Sequence, residues 1–172
     1  FLLVLVPLVL FLSSCSDRSE YGEAKDYEKF GAGCLLTADV TAPTVSSGSP
    51  SDNSTYNSSS TAVAVTFSEN MAAGSVTTNT SDTTCSGSFQ LSSDNFTTCI
   101  KMSGAPSASD NVTTFTSTPT DNLSGGTTYK LRITTSATDN ASNSLASAFT
   151  TTNGFTTSPS GSGTIIGSVQ MD

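Results

Sequence analysis

Thr61-Ala62-Val63-Ala64-Val65-Thr66-Phe67 is the stretch on which the fold turns. Successive side chains of an extended chain point to opposite faces, so Val63, Val65 and Phe67 share one side and the small or polar residues share the other. The same alternation returns in Thr127-Thr128-Tyr129-Lys130-Leu131-Arg132-Ile133. There Tyr129, Leu131 and Ile133 are expected inward, and Lys130 and Arg132 toward water.

Weaker runs lie around these two. Residues 86–92 carry Phe89 and Leu91, 99–102 carry Ile100 and Met102, 112–118 carry Phe115, and 148–156 carry Phe149 and Phe155. Thr41-Ala42-Pro43-Thr44-Val45 opens as extended chain, since a proline pushes its neighbour toward β. Turn clusters separate the runs: Ser49-Pro50-Ser51-Asp52-Asn53, Ser92-Ser93-Asp94-Asn95, residues 106–111, Ser124-Gly125-Gly126 and Asp139-Asn140-Ala141-Ser142-Asn143. No stretch keeps a helical period for long. About seven short strands with turns at near-regular spacing predict an all-β antiparallel sandwich.

Composition agrees. The 172 residues hold 12% charged residues and no His or Trp, and the net charge is -8. Thr and Ser occupy the outward strand positions where charge is usual. Beyond the N-terminal region the only cations are Lys101, Lys130 and Arg132. Phosphate binding needs clustered Lys and Arg, so nucleic acid is excluded as a partner.

The N-terminal region reads differently. Residues 1–12 form an apolar run shorter than the roughly 20 residues of a membrane span, and they match the core of a secretory signal peptide. The run ends in Leu12-Ser13-Ser14-Cys15, which resembles a bacterial lipobox. That resemblance implies a truncated signal peptide over 1–14, with Cys15 the new N-terminus carrying a diacylglycerol on its thiol. The competing reading is an ordinary signal peptide and a chance cysteine. Residues 15–40 are expected as a charged tether. Residues 21–30 suit either a short helix, given Glu, Ala and Lys, or a solvated linker. By resemblance to Gram-negative sorting signals, Ser16 directly after the anchor implies the outer membrane.

Five landmarks in order then resemble the bacterial Ig-like domain first described in S-layer proteins. Thr41-Ala42-Pro43-Thr44-Val45 with Ser49-Pro50 is similar to its opening strand and turn. Val63-Ala64-Val65-Thr66-Phe67-Ser68-Glu69-Asn70-Met71 is similar to its strand ending in Phe-Ser-Glu-x-Met. Leu123-Ser124-Gly125-Gly126-Thr127-Thr128-Tyr129 resembles its turn into a late Tyr-containing strand, Asp139-Asn140-Ala141-Ser142-Asn143-Ser144-Leu145 its Asp-x-Ala-x-Asn-x-Leu segment, and Phe155-Thr156-Thr157 its closing strand. The resemblance covers 41–157 and implies an Ig-like sandwich used as a spacer or adhesive module in exported and surface proteins, often in tandem. Fold alone does not fix function. Residues 158–172 are expected as a Ser/Gly linker followed, from Thr164, by the start of a further domain.

The sequence has four cysteines, Cys15, Cys34, Cys85 and Cys99. Cys85 and Cys99 flank residues 86–98, and an antiparallel hairpin there would bring them within disulfide reach in an oxidising compartment. A metal site is disfavoured by the lack of His and of Cys-x-x-Cys spacing. Cys34 is left as free, buried or paired with another chain.

A Ser-His-Asp triad is excluded because there is no His. No catalytic residue and no cofactor is expected. Glu69, at a strand end, reads first as a turn stabiliser. Asp139 and Asn143 read first as caps of their own turn, with Ca²⁺ ligation the alternative, although two side chains do not make a site for an ion that takes six to eight oxygens. Tyr129 reads as core, with its hydroxyl bonded back to a turn in the manner of a tyrosine corner. The Asn-x-Ser/Thr triplets arise readily by chance in this composition and say nothing about glycosylation.

Two function classes stand. One is a non-catalytic envelope lipoprotein module that spaces, binds or adheres, its partners being the membrane through Cys15, other envelope or host surface proteins, and further Ig-like domains. The other is an accessory spacer of a larger exported enzyme. A carbohydrate-binding module is disfavoured, since no Trp and few Tyr are free to stack on sugar rings.

Overall fold

The computed structural model describes residues 38–161. Cys15, Cys34, the signal and tether readings, and the strand expected from Thr164 lie outside the described residues.

Eight short strands form: β1 (Val45–Ser49), β2 (Val63–Phe67), β3 (Phe89–Ser92), β4 (Ser107–Ala108), β5 (Thr114–Ser117), β6 (Thr128–Ile133), β7 (Phe149–Thr150) and β8 (Phe155–Thr156). A 3-10 turn at Ala73–Ser75 is the one helical element among the described residues. The first sheet runs β1-β2-β5-β4; the second has β6 at its centre, with β3 on one edge and β7 and β8 on the other. Every strand pair is antiparallel. Together the sheets make the expected all-β, Ig-like sandwich.

The alternation predicted in β2 and β6 is the pattern that forms the core. Val63, Val65, Phe67, Tyr129, Leu131 and Ile133 are all buried, and Phe89, Leu91, Phe115 and Phe155 complete the layer between the sheets. Phe67 and Phe115 meet edge to face with ring centroids 5.8 Å apart. Each such aromatic pair adds about 0.5–1.5 kcal/mol beyond its buried area.

β7 and β8 are two halves of one interrupted strand. Arg132 faces Thr150 and Thr128 faces Thr156. Between them Thr151 stays tied to Leu131: its N–H donates to the Leu131 carbonyl and its Oγ1 accepts from the Leu131 N–H, both at 3.0 Å. Residues 152–154 then bulge out.

Three local expectations differ from the structure. Residues 99–102 form no strand, and the hairpin expected over 86–102 is absent. β3 pairs with β6, while the later segment makes a single bond to it, Ile100 N–H to the Leu91 carbonyl at 2.8 Å, and an isolated bridge from Met102 to Pro119. The reason lies in Asn95 and Phe96, whose φ values of 56° and 64° turn the chain across the outer face of the sheet. Arg132 is therefore half-buried instead of solvated. Its guanidinium sits 3.9 Å from the Phe96 ring centroid, and its Nε donates to Gln90 Oε1 at 2.7 Å. Residues 106–111, expected as a turn, contain β4, whose two exposed residues pair with Thr116 and Phe115. A two-residue strand is too short to display a period.

Candidate functional sites at the two ends of the domain

β6 sets the frame, because it runs from one end of the sandwich to the other. Past Ile133 its chain reaches a turn centred on Asp139, which is buried. Asp139 Oδ1 accepts the Asn143 N–H at 2.7 Å and Oδ2 accepts Asn143 Nδ2 at 2.8 Å. The pair thus caps its own turn. Asn143 Nδ2 also donates to the Asp39 carbonyl at 3.0 Å, which ties the entering chain to this end. Met71, just after β2, bridges to Asp139 and brings Glu69 alongside.

Carboxylate oxygens of Asp39, Glu69 and Asp139 consequently lie within 4.8 Å of one another. Burial pushes the Glu69 carboxyl above its ordinary value, and the charges of Asp39 and Asp139 push it in the same direction. One oxygen from each carboxylate makes three, short of the six to eight that Ca²⁺ takes. Both Asp139 oxygens accept amide N–H groups, and Asp39 Oδ1 accepts the Thr41 N–H at 2.9 Å. This cluster is legible as a charged end of the domain, with Asp139 in a capping role. Glu69 sits in the cluster, which goes beyond the strand-end reading. The sequence places Asp39 in the tether, and nothing local marks it as a neighbour of Glu69.

The opposite end is built on Tyr129. Its hydroxyl accepts the Ser124 N–H at 2.9 Å, and its ring stacks on Phe155 at 5.8 Å. This is the corner that the sequence predicts. Buried Thr157 closes it by donating Oγ1 to the Ser124 carbonyl at 2.6 Å and accepting the Thr127 N–H at 3.1 Å. The chain leaves here: Ser158 N–H donates to the Asn57 carbonyl at 2.8 Å, and Gly126 N–H donates to the Ser158 carbonyl at 3.0 Å. Two clefts of about 490 and 250 Å³ at this end share Asn122 and Leu123. The smaller is lined by Thr83, Lys101, Asp121, Ser124 and Tyr129 among others, the larger by Ser59, Ser158 and Ser160.

Asp52 supplies a connection that the sequence shows only as part of a turn cluster. Its Oδ1 accepts the N–H groups of Asn153 at 3.0 Å and Gly154 at 2.6 Å, and its Oδ2 accepts that of Thr152 at 3.2 Å. Three consecutive N–H groups converging on one carboxylate hold the loop after β1 against the bulge between β7 and β8.

Cys85 and Cys99 are joined in a disulfide with Cα atoms 4.9 Å apart. The closed loop is also organised from within. Asp94 accepts from Thr98 through backbone and hydroxyl, and from Ser92, which holds its carboxyl down to about 2. Ser92 Oγ accepts the Phe96 N–H at 2.9 Å, and Gln90 Nε2 donates to the carbonyls of Cys85 at 2.9 Å and Gly87 at 2.8 Å.

The family described as bacterial Ig-like domain matches residues 39–157. No curated protein matches the chain. Among solved structures, surface layer protein SbsC, domains 1-6, is 22% identical with a TM-score of 0.48, over 69% of this chain and 14% of that one. The N-terminal part of the bacterial S-layer protein SbsC is 20% identical with a TM-score of 0.47, over 69% of this chain and 24% of that one. Among the described residues, no helix is long and apolar enough to cross a membrane.

Proposed function

We propose a function from the premise that this chain belongs to the bacterial Ig-like domain family: residues 39–157 are a non-catalytic spacer module of the cell surface, anchored through a lipid on Cys15. The observation that carries the spacer reading is the placement of the two chain ends. The chain enters at Asp39, beside Asn143 and the turn that follows β6. It leaves at Ser158, beside Thr127 and the start of β6. Entry and exit therefore stand at opposite ends of the sandwich, as a module threaded head to tail along an extended chain requires. Ends that met on one side of the domain would add little to the reach of the chain.

The non-catalytic reading is supported by buried polar groups that serve turns. Thr157 closes the corner of Tyr129, and Asp139 caps its own turn. The anchor rests on the apolar run that ends in Leu12-Ser13-Ser14-Cys15. Outer-membrane placement rests on Ser16, and adhesion would require a partner that contacts the exposed loops. The experiment is expression of the chain with its native leader, followed by membrane fractionation and mass analysis of the mature N-terminus. Acyl chains on Cys15 and release of Cys15→Ala into the soluble fraction are expected. Equal membrane binding by Cys15→Ala overturns the anchor.

A further inference from the structure

Asn153-Gly154 is the one Asn-Gly pair in the sequence. In such a pair no Cβ shields the following backbone nitrogen, so that nitrogen reaches the asparagine side-chain carbon more easily than before any other residue. Asn153 is exposed and Gly154 is buried. The fold cannot dispense with the glycine: its φ is +79°, and a Cβ there would clash with the Tyr129 carbonyl oxygen. The chain therefore retains a reactive pair at the bulge between β7 and β8.

We propose that Asn153 is a deamidation site whose rate is set by Asp52. In the reaction the Gly154 nitrogen loses its proton and attacks Cγ of Asn153, and ammonia leaves. Water then opens the resulting succinimide at one carbonyl or the other, which gives aspartate or isoaspartate. Solvent is the only co-reactant.

Asp52 opposes this in two ways. Its Oδ1 takes the very N–H that must be lost, at 2.6 Å, and its negative charge disfavours an anion on that nitrogen. The bonds to Thr152 and Asn153, with the Gly154 carbonyl receiving the Asn53 N–H at 2.6 Å, also hold the backbone against the rotation that brings nitrogen and Cγ together. A carboxylate is far too weak a base to remove an amide proton, so its presence slows the step. The isoaspartate product would add a methylene to the backbone and place a second carboxylate beside Asp52, and the bulge could no longer be held.

The test uses the full chain in mildly alkaline buffer at body temperature, with peptide mapping of Asn153 over days. Native protein is compared with Asp52→Asn, Asp52→Ala and urea-unfolded native protein. One charge-assisted bond at the reacting nitrogen corresponds to roughly a tenfold change in the fraction of open turn. Deamidation should therefore be about tenfold faster in Asp52→Ala than in native protein, intermediate in Asp52→Asn, and fastest in the unfolded chain. Circular dichroism establishes that each variant is folded. If both variants unfold, the Gly154 amide in native protein is read instead by hydrogen exchange, and its protection must match the slowing at Asn153. Unchanged or slower deamidation in a folded variant overturns the proposal, as does a native rate equal to the unfolded one.

Discussion

Removing the Cys85–Cys99 bond should lower stability by about 3 kcal/mol and leave the domain folded. The bond closes a separation of 14 residues. Cross-linking a loop of that size removes unfolded-state entropy worth about 3 kcal/mol in the chain-entropy picture. The native contacts inside the loop do not depend on the sulfurs. Gln90 still holds the carbonyls of Cys85 and Gly87, and Asp94 still holds Thr98. Phe89 and Leu91 remain fixed by pairing with β6. For a domain of this size 3 kcal/mol corresponds to a melting shift of about 10–15 °C. Thermal scans by circular dichroism, with and without reductant, on native protein and on Cys85→Ala/Cys99→Ala would measure it. Native protein should melt lower in reductant, and the double variant should be low in both conditions and indifferent to reductant. A shift under about 2 °C would refute the entropic argument, and a double variant unfolded at room temperature would refute the claim that the loop is locally organised.

Tyr129→Phe removes the hydroxyl that accepts the Ser124 N–H and should cost about 1 kcal/mol in chemical denaturation, with the ring stack on Phe155 retained. Gly154→Ala should cost about 3 kcal/mol or more, since the left-handed backbone alone costs about 1–2 kcal/mol for a side chain and the methyl meets the Tyr129 carbonyl. Ser117 Oγ is buried without a hydrogen-bond partner, so Ser117→Ala should be neutral or stabilising by up to about 1 kcal/mol in the same assay. The acid limb should show two opposed contributions. Asp94, at about 2 in the folded state against 3.8, supports the fold above 3.8, and that support is lost as pH falls toward 2; Asp94→Asn should flatten this loss in a urea–pH series. Glu69, raised above 4.5, binds its proton more tightly when folded, so its contribution falls as pH rises through that window; Glu69→Gln should abolish the fall, and a carboxyl titration by NMR should place Glu69 above 4.5.

The parts of the fold legible in sequence are those where one residue pattern meets one strong physical demand. β2 and β6 face a dry core on one side, so their alternation is unbroken and their inward residues could be named. Tyr129 could be placed at a corner because a buried phenol needs a partner and a Ser-Gly-Gly turn precedes it. β3 obscured its own pairing, because both its faces are buried and Gln90 and Ser92 carry no outward signal. The loop that covers it depends on the backbone twist at Asn95 and Phe96 and on the Arg132 guanidinium 36 residues later, neither of which has a local signature. The carboxylate cluster has no sequence signature for a related reason. Asp39, Glu69 and Asp139 are brought together by the bridge from Met71 to Asp139 and by the bond from Asn143 to the entering chain. The sequence predicts the pairing of Cys85 with Cys99 through a hairpin that does not form; closeness of the two cysteines comes instead from a loop folded back over the sheet.

A spin-label distance across the domain tests the spacer account most directly. Ala42 and Ser160 are exposed, one just after the entry and one just after the exit. Each would carry a label on an introduced cysteine, with Cys15 and Cys34 replaced by serine. The six residues of β6 span about 20 Å, and the turns at each end add to that. The account predicts a single narrow distance of about 30 Å or more that survives salt and crowding. A distance under about 20 Å would put entry and exit on the same side of the sandwich and contradict it.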